Sequence, residues 1–214
     1  MGLLNVLECG VTAGVRKVVY AASGGTLYGE PRKLPVKESA ATSGRPLSPY
    51  GISKKVAIDY LGFYERHRGI AHTALALANV YGPRQDPNGE AGVISIFATK
   101  MLAGEAPTIF GDGNQTRDYV FVDDVVHAFA LAAERGDGRL VNVGTGLETP
   151  VNGLYRVLAD LTGFTGKPRN GPDRLGDLRR SVLDPKLAAT ALGWRPWTHL
   201  EDGLGETVAY LKGI

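Results

Sequence analysis

Short apolar runs alternate with helical patterns along most of this chain. The runs at 16–22 (RKVVYAA) and 71–79 (AHTALALAN) are rich in β-branched and other apolar residues, and each is followed by a turn. Between them, Ser48 and Pro49 are typical of a helix start, and the pattern that follows predicts a helix to about His67. Strands that alternate with helices form parallel sheets covered on both faces. The sequence therefore predicts the α/β class.

Composition and charge argue against several kinds of partner and site. The 24 Lys+Arg and 22 Asp+Glu residues give a formal charge of +2, which is too small to indicate a nucleic-acid partner. Apolar runs stay short of the ~18 residues of a membrane span, and Glu8 interrupts an N-terminal stretch that lacks the basic segment of a signal peptide. One cysteine and four histidines show no metal-binding spacing. We expect no metal site, no membrane contact and a cytoplasmic location.

Tyr50 and Lys54 carry the strongest chemical signal. Four residues apart on a helix, their phenol and ammonium groups share one face. A neighbouring cation stabilises the phenolate, which lowers the pKa of the tyrosine towards the range where it can act as a general base. By itself this spacing is more often an exposed pair. The strand that ends at Ser23 favours the functional interpretation, because the carboxyl ends of parallel strands face the ligand crevice of an open sheet.

Several long motifs around these residues resemble one family. The chain contains, in order, AASGGTLYGEP, LSPYGISK, NVYGPRQDPNGEAGVISIF, PTIFGDGNQTRDYVFVDDV, VNVGTG and GDLRRSVLD. This text is similar to that of the extended short-chain dehydrogenase/reductases, and more narrowly to that of the UDP-glucose 4-epimerase-like nucleotide-sugar epimerases. The resemblance implies a partial, N-terminally truncated Rossmann-type parallel sheet with a small C-terminal substrate-binding α/β domain.

The resemblance also implies a division into domains. Residues 1–86 and 116–146 would form the remaining part of the NAD-binding Rossmann domain with the catalytic residues, and residues 87–115 and 147–214 would form the nucleotide-sugar domain. The similarity begins inside what would be the fourth helix of the family's nucleotide-binding half. About three βα units, on the order of 90 residues at ~30 per unit, are expected to be missing, together with the main NAD-binding loop. We expect this chain to bind NAD weakly or not at all.

Roles for individual residues follow from the same resemblance. Tyr50 would take the proton of the sugar 4-hydroxyl as hydride passes to NAD, and Lys54 would lower the pKa of Tyr50 and hold the nicotinamide ribose. Ser23 would bridge the substrate oxygen and Tyr50, with Thr26 as the reserve candidate, and Ala78 would lie beside the nicotinamide. Contacts with the nucleotide-sugar are implied for Asn79, Gly92, Val93, the segment from Thr108 to Phe110, Arg117, Arg174 and Asp177.

A second glycine motif invites a different interpretation. Gly144 and Gly146 follow a predicted strand and partly match the GxGxxG dinucleotide fingerprint, but Thr149 stands in place of the third glycine. An acidic residue at a strand end about twenty residues later is also lacking. The sequence favours a tight turn here over a pyrophosphate-binding loop.

Alternatives remain open at several points. Arg117 could form only a surface ion pair with Asp118 or Asp123, and Arg174 could lie in a solvated basic loop. Dehydration, decarboxylation or reduction of a nucleotide-sugar competes with epimerisation, although two glycines occupy the place where dehydratases carry acidic residues. A different class of hypothesis is an inactive fragment that acts as a structural or interaction module. Since family members commonly dimerise through the corresponding helices, a homodimer through helices 3–13 and 49–67 is expected.

Overall fold

A three-stranded parallel sheet lies at the centre of the fold. The structure, a computed structural model, describes residues 2–31, 33–88, 92–174 and 176–213. Its elements in chain order are α1 (Gly2–Thr12), β1 (Lys17–Ser23), α2 (Gly24–Leu27), a 3-10 helix (Glu38–Ala41), α3 (Pro49–Arg68), β2 (Ala71–Leu77), β3 (Asn79–Tyr81), α4 (Val93–Leu102), β4 (Thr108–Phe110), β5 (Thr116–Arg117), β6 (Tyr119–Phe121), α5 (Val122–Glu134), β7 (Arg139–Val143), β8 (Thr149–Pro150), α6 (Val151–Thr162), β9 (Arg169–Gly171), β10 (Arg180–Ser181), α7 (Lys186–Ala191) and α8 (Leu200–Lys212). The central sheet has the order β1, β2, β7.

Helices cover both faces of the central sheet. Successive side chains of a strand point to opposite faces, and neighbouring residues of β2 show this directly. Ala74 packs with Leu7 of α1 and Leu61 of α3, whereas Leu75 packs with Val125 of α5. This arrangement confirms the predicted α/β class. Because both faces of β2 are covered, its sequence is apolar at nearly every position.

The start and end of α3 follow the local signals in its sequence. Ser48 caps the helix, since its Oγ accepts a hydrogen bond from the Gly51 N–H at 3.1 Å. Pro49 occupies the first turn, and Gly69 ends the helix with a left-handed φ of 74°. The helix therefore begins within one residue of the predicted position, which places Tyr50 in its first turn.

The apolar run at 71–79 is divided between two sheets. The sequence predicts one strand there, but β2 ends at Leu77 and β3 begins at Asn79. The Ala78 N–H still donates to the Val143 carbonyl of the central sheet, while the Asn79 N–H donates to the Asp118 carbonyl, each at 2.9 Å. From that point β3 pairs with β6 instead of β7. This change of partner brings Asn79 beside the end of β5.

A second apolar core lies among α4, α6 and α8. Phe97, Leu154 and Leu204 are buried in this core. The strands around it are short, and β9 and β10 lie in a Gly/Pro/Arg-rich segment for which the sequence predicts no strand. The predicted domain division stays a prediction, although Trp194, from the C-terminal range, packs on the central sheet beside α5. In the described ranges, no helix has the length and apolar character needed to cross a membrane.

Candidate active site

A cavity of about 260 Å³ opens at the carboxyl ends of β1 and β2. This is the edge of an open parallel sheet where ligands generally bind. Six residues predicted from the sequence line it: Ser23, Thr26, Ala78, Asn79, Arg117 and Asp177. The sequence predicts no ligand contact for the other lining residues, which are Gly25, Gly29, Leu47, Ser48, Leu77, Gly176, Leu178 and Ser181. The structure thus gathers residues from positions 23 to 181 around one space.

Two hydroxyl groups border the cavity at the end of β1. Ser23 is the last residue of the strand, and Thr26 lies in α2, where the sequence predicts only a turn. The Thr26 Oγ1 atom is buried, and no described residue forms a hydrogen bond with it. Gly51 packs closely here, because a Cβ at Gly51 would lie 3.0 Å from the Thr26 carbonyl oxygen. Because Thr26 lines the cavity and its Oγ1 is buried without a described partner, Thr26 and Ser23 both stay candidates for holding a ligand oxygen.

Tyr50 and Lys54 lie beside the cavity in the first two turns of α3, next to Ser48 in its lining. The Tyr50 side chain is 51% exposed. The Lys54 Nζ lies 5.6 Å from the centre of the Tyr50 ring and 5.0 Å from that of Tyr20. It donates a hydrogen bond to the Ala21 carbonyl of β1 at 2.8 Å, and partial burial lowers the pKa of its ammonium. The predicted proximity of the phenol and ammonium groups is present in the folded chain.

Arg117 forms an ion pair with Asp177 across the cavity. Its guanidinium also donates to the Thr116 carbonyl at 2.7 Å, and its side chain is only 14% exposed. The alternative of a surface pair with Asp118 or Asp123 does not occur, since Arg117 instead faces a residue 60 positions away. Two of the residues implied for the diphosphate and ribose are therefore adjacent and border the same space.

Asp118 is a buried carboxylate that sequence reasoning considered only as a partner of Arg117. Its oxygens accept hydrogen bonds from the N–H groups of Thr145, Gly146 and Leu183, and from the Thr145 hydroxyl. Burial raises the pKa of the Asp118 carboxyl, and these hydrogen bonds partly offset the shift. Two N–H groups of the Gly144–Gly146 segment are thus directed at Asp118. The structure supports the tight-turn interpretation of this motif.

The remaining predicted contacts lie outside the cavity lining. Gly92 caps α4 and Val93 begins it, and the segment from Thr108 to Phe110 forms β4. The Arg174 guanidinium stacks over the Phe110 ring at 3.8 Å. The structure therefore brings Arg174 and Phe110 together as a separate pair, next to the loop that carries Asp177.

Ser181 is a cavity residue for which no local sequence pattern predicts a role. It is buried at the end of the two-residue strand β10, which pairs with β5 so that Ser181 lies opposite Arg117. A Cβ added at Gly25 would lie 3.9 Å from its Oγ. Only the motif GDLRRSVLD, taken as a whole, indicated this part of the chain.

Residues 1–144 match the family described as NAD dependent epimerase/dehydratase. The chain belongs to this family. It is 46% identical over 213 residues to a UDP-glucose 4-epimerase of Mycolicibacterium smegmatis, covering 99% of this chain and 67% of that protein. Membership confirms the resemblance drawn from the motifs.

Solved structures agree with this family assignment. A UDP-glucose 4-epimerase of Thermotoga maritima, solved with UDP-glucose, superposes with a TM-score of 0.96 at 48% identity, covering 99% of this chain and 68% of that one. A Thermus thermophilus UDP-glucose 4-epimerase, solved with NAD, gives 0.91 at 40% identity, with 99% and 69% coverage. The chain spans about two-thirds of the length of these relatives, and its fold is that of the corresponding part of a Rossmann-type epimerase.

Proposed function

We propose that this chain forms the catalytic and nucleotide-sugar-binding part of a UDP-hexose 4-epimerase that uses NAD. The observation that carries the proposal is the single cavity bordered by Ser23, Thr26, Asn79 and the pair of Arg117 and Asp177, with Tyr50 and Lys54 beside it. The Thermotoga relative, 48% identical, was solved with UDP-glucose, which supports this ligand class for the cavity.

Each side chain in or beside the cavity has a role in the proposed reaction. Tyr50 removes the proton of the sugar 4-hydroxyl, and the Lys54 ammonium, whose Nζ lies 5.6 Å from the centre of the Tyr50 ring, is the nearby positive charge. The hydroxyl of Thr26 or Ser23 holds the reacting sugar oxygen. The Arg117 guanidinium suits a diphosphate, since its planar fork can bind two oxyanions at once. Asp177, paired with Arg117, can accept hydrogen bonds from the ribose hydroxyls.

The residues present fit the nicotinamide end of NAD. The Lys54 Nζ and the Ser23 hydroxyl are donors beside the crevice, and Ala78 supplies a small apolar surface at the end of β2. NAD, when bound, would take hydride from the sugar C4 and return it to the opposite face of the 4-keto sugar. Because the Gly144–Gly146 N–H groups are directed at Asp118, that turn is not a candidate for the pyrophosphate. The proposal therefore assigns the nicotinamide contacts, and no others, to the described residues.

The packing around Gly24 disfavours dehydration as the reaction. A Cβ at Gly24 would lie 2.5 Å from the Leu183 Cδ1 and 3.1 Å from the Leu77 carbonyl oxygen. With Ser23 as the catalytic hydroxyl residue, an acidic side chain directly after it, such as dehydratases carry, would need Leu183 to move. Epimerisation, which needs no additional acid at this point, fits the site better.

The proposed reaction is tested by mixing the 214-residue chain with UDP-galactose and millimolar NAD, and following UDP-glucose by chromatography. We expect slow conversion that is lost in Tyr50→Phe and kept in Tyr210→Phe, a similarly exposed tyrosine of α8 that is remote from Lys54 in sequence and absent from the cavity lining. Conversion that survives Tyr50→Phe would remove the tyrosine from the role of base. Tight UDP binding without conversion at any NAD concentration would instead support the inactive-module hypothesis.

We also propose that α1 and α3 form a homodimer interface. Ile52, Val56, Tyr60 and Phe63 are each at least 40% exposed, and their spacing places them on one face of α3. Val6 of the adjoining α1 is 60% exposed. Several exposed apolar side chains on one face of a helix are typical of a protein interface.

Light scattering tests the dimer proposal directly. Phe63→Glu should give a monomer, because a carboxylate buried in an apolar interface costs several kcal/mol. The matched control is Val126→Glu, which places the same charge on an exposed apolar position of α5 and should leave the dimer intact. A wild-type chain that is monomeric at high micromolar concentration would contradict the proposal.

A further inference from the structure

The Asp118 side chain connects two segments that are remote in sequence. Its Oδ1 accepts from the Thr145 N–H at 2.8 Å and from the Thr145 Oγ1 at 2.6 Å. Its Oδ2 accepts from the Gly146 N–H at 3.1 Å and the Leu183 N–H at 3.2 Å. These four bonds satisfy a carboxylate that is 1% exposed and that forms no ion pair within the described part of the chain.

The backbone of Asp118 reaches two further segments, and both line the cavity. Its N–H donates to the Ser181 carbonyl and its carbonyl accepts from the Asn79 N–H, each at 2.9 Å. Arg117 precedes it directly in the chain. Three cavity residues, Asn79, Arg117 and Ser181, are therefore attached to one residue that does not itself line the cavity.

We infer that Asp118 is a positioning residue for the nucleotide-sugar cavity, acting through Asn79, Arg117 and Ser181. This inference rests on the proposed function for its ligand, UDP, although its geometry does not depend on it. The Leu183 N–H fixes the strand end that carries Ser181, and the Thr145 and Gly146 groups hold the carboxylate from the opposite side. A buried carboxylate with four donors is a rigid junction, because each donor left without its acceptor would be buried and unpaired.

Replacing the Asp118 carboxylate with an amide of the same shape should disrupt its hydrogen bonds. In D118N one acceptor oxygen becomes an NH₂ group, which would face an N–H donor of Gly146, Leu183 or Thr145. Two donors cannot form a hydrogen bond, so the junction has to rearrange. The displacement is expected to reach Arg117 and Ser181, whose backbones are adjacent to the junction.

The experiment compares D118N with a matched variant, D124N. Asp124 is also a buried carboxylate and accepts hydrogen bonds from Thr198, at 3.3 Å from the N–H and 3.0 Å from Oγ1, but neither residue lines the cavity. UDP binding is measured by calorimetry at a temperature where both variants are folded. We expect the Kd for UDP to rise about tenfold or more in D118N and less than about twofold in D124N, while both lower the melting temperature. Equal Kd changes in the two variants would overturn the inference.

Two additional measurements keep the test decisive. If D118N does not fold, Thr145→Val removes the hydroxyl that donates to Asp118 and accepts from the Leu147 N–H, with Thr145→Ser as the control that keeps both bonds. A Kd raised about threefold in Thr145→Val alone supports the inference, and an unchanged Kd overturns it.

If the wild-type chain does not bind UDP, the proposed function fails, and hydrogen exchange then tests whether Asp118 positions the cavity residues. Amides of residues 79–81 and 181–183 should then exchange faster in D118N or Thr145→Val than in D124N, and equal rates would contradict us.

Discussion

The two sides of the cavity are supported in different ways. On the nucleotide-sugar side, Arg117 is paired with Asp177, and the buried Asp118 carboxylate binds the Thr145–Gly146 turn and the Leu183 N–H. On the catalytic side, Tyr50 is half-exposed, and the Lys54 ammonium donates to a backbone carbonyl of β1. On the nucleotide-sugar side, the charged side chains thus have hydrogen-bond partners among the described residues. On the catalytic side, the side chains form fewer hydrogen bonds and are more exposed to solvent.

The two edges of the central sheet show the same difference. At β7, the Asn142 N–H donates to the Glu38 carboxylate, and its side-chain amide donates to the Val36 carbonyl. At β1, the strand pairs only with β2 among the described residues, and most of its side chains are half-buried. An uncovered edge offers its backbone groups to another strand. Under the proposed function, this comparison predicts that the chain binds the nucleotide-sugar and NAD with independent affinities.

The largest expected difference is between the two ligands. The 214-residue chain should bind UDP saturably and NAD at least about a hundredfold more weakly, because the described residues offer the Arg117 guanidinium to UDP and only nicotinamide contacts to NAD. Two charge-assisted hydrogen bonds of ~1.5 kcal/mol each correspond to that factor. Calorimetric titrations with each ligand measure both values. Stoichiometric NAD that copurifies with the chain would contradict the separation of the two sides.

Arg117→Ala should have the next largest effect. Losing a charge-assisted contact with a diphosphate costs about 1.5–3 kcal/mol, which corresponds to a Kd for UDP raised about 10- to 100-fold. Arg179→Ala is the matched control, because it removes an exposed ion pair with Asp112 outside the cavity lining and should leave the Kd unchanged. If both variants weaken UDP equally, the effect is one of net charge and Arg117 has no specific role.

Two glycines of α3 allow a sharper test of the catalytic side. Gly51→Ala should lower the free energy of unfolding by about 1–3 kcal/mol, since its Cβ would press on Pro46 at 2.9 Å and on Thr26. Gly62→Ala meets only the flexible end of Arg66 and should instead stabilise the helix by up to about 1 kcal/mol. Urea unfolding followed by circular dichroism gives both values. A neutral Gly51→Ala would show that Thr26 is not fixed by its contact with α3.

The smallest effect is expected for Tyr50→Phe on UDP affinity. Tyr50 is 51% exposed and lies outside the cavity lining, so removing its hydroxyl should change the Kd by less than about twofold. The same calorimetric titration measures it. A tenfold change in the Kd would mean that the Tyr50 phenol contacts UDP, and the two sides of the cavity would then not act separately.

Local signals predicted much of the architecture. The cap formed by Ser48 and Pro49 fixed the start of α3, and with it the positions of Tyr50 and Lys54, to within one residue. The break at Ala78 was not predictable, because two strands of the same apolar character differ only in their hydrogen-bond partners. The very short strands β5, β8 and β10 have too few residues to produce a periodic pattern. The α2 helix at Gly24–Leu27 was likewise hidden by its glycines.

The amino-acid sequence by itself determined the α/β class, the family and the spacing of Tyr50 and Lys54, because periodicity, capping and long motifs are local properties of a chain. Only the tertiary structure decided that Arg117 pairs with Asp177, that the Thr26 hydroxyl is buried beside the cavity, and that Asp118 joins its walls. Those facts depend on contacts between residues 25 to 65 positions apart. These contacts contribute strongly to stability because they are buried, and no local sequence pattern shows which residues are buried together.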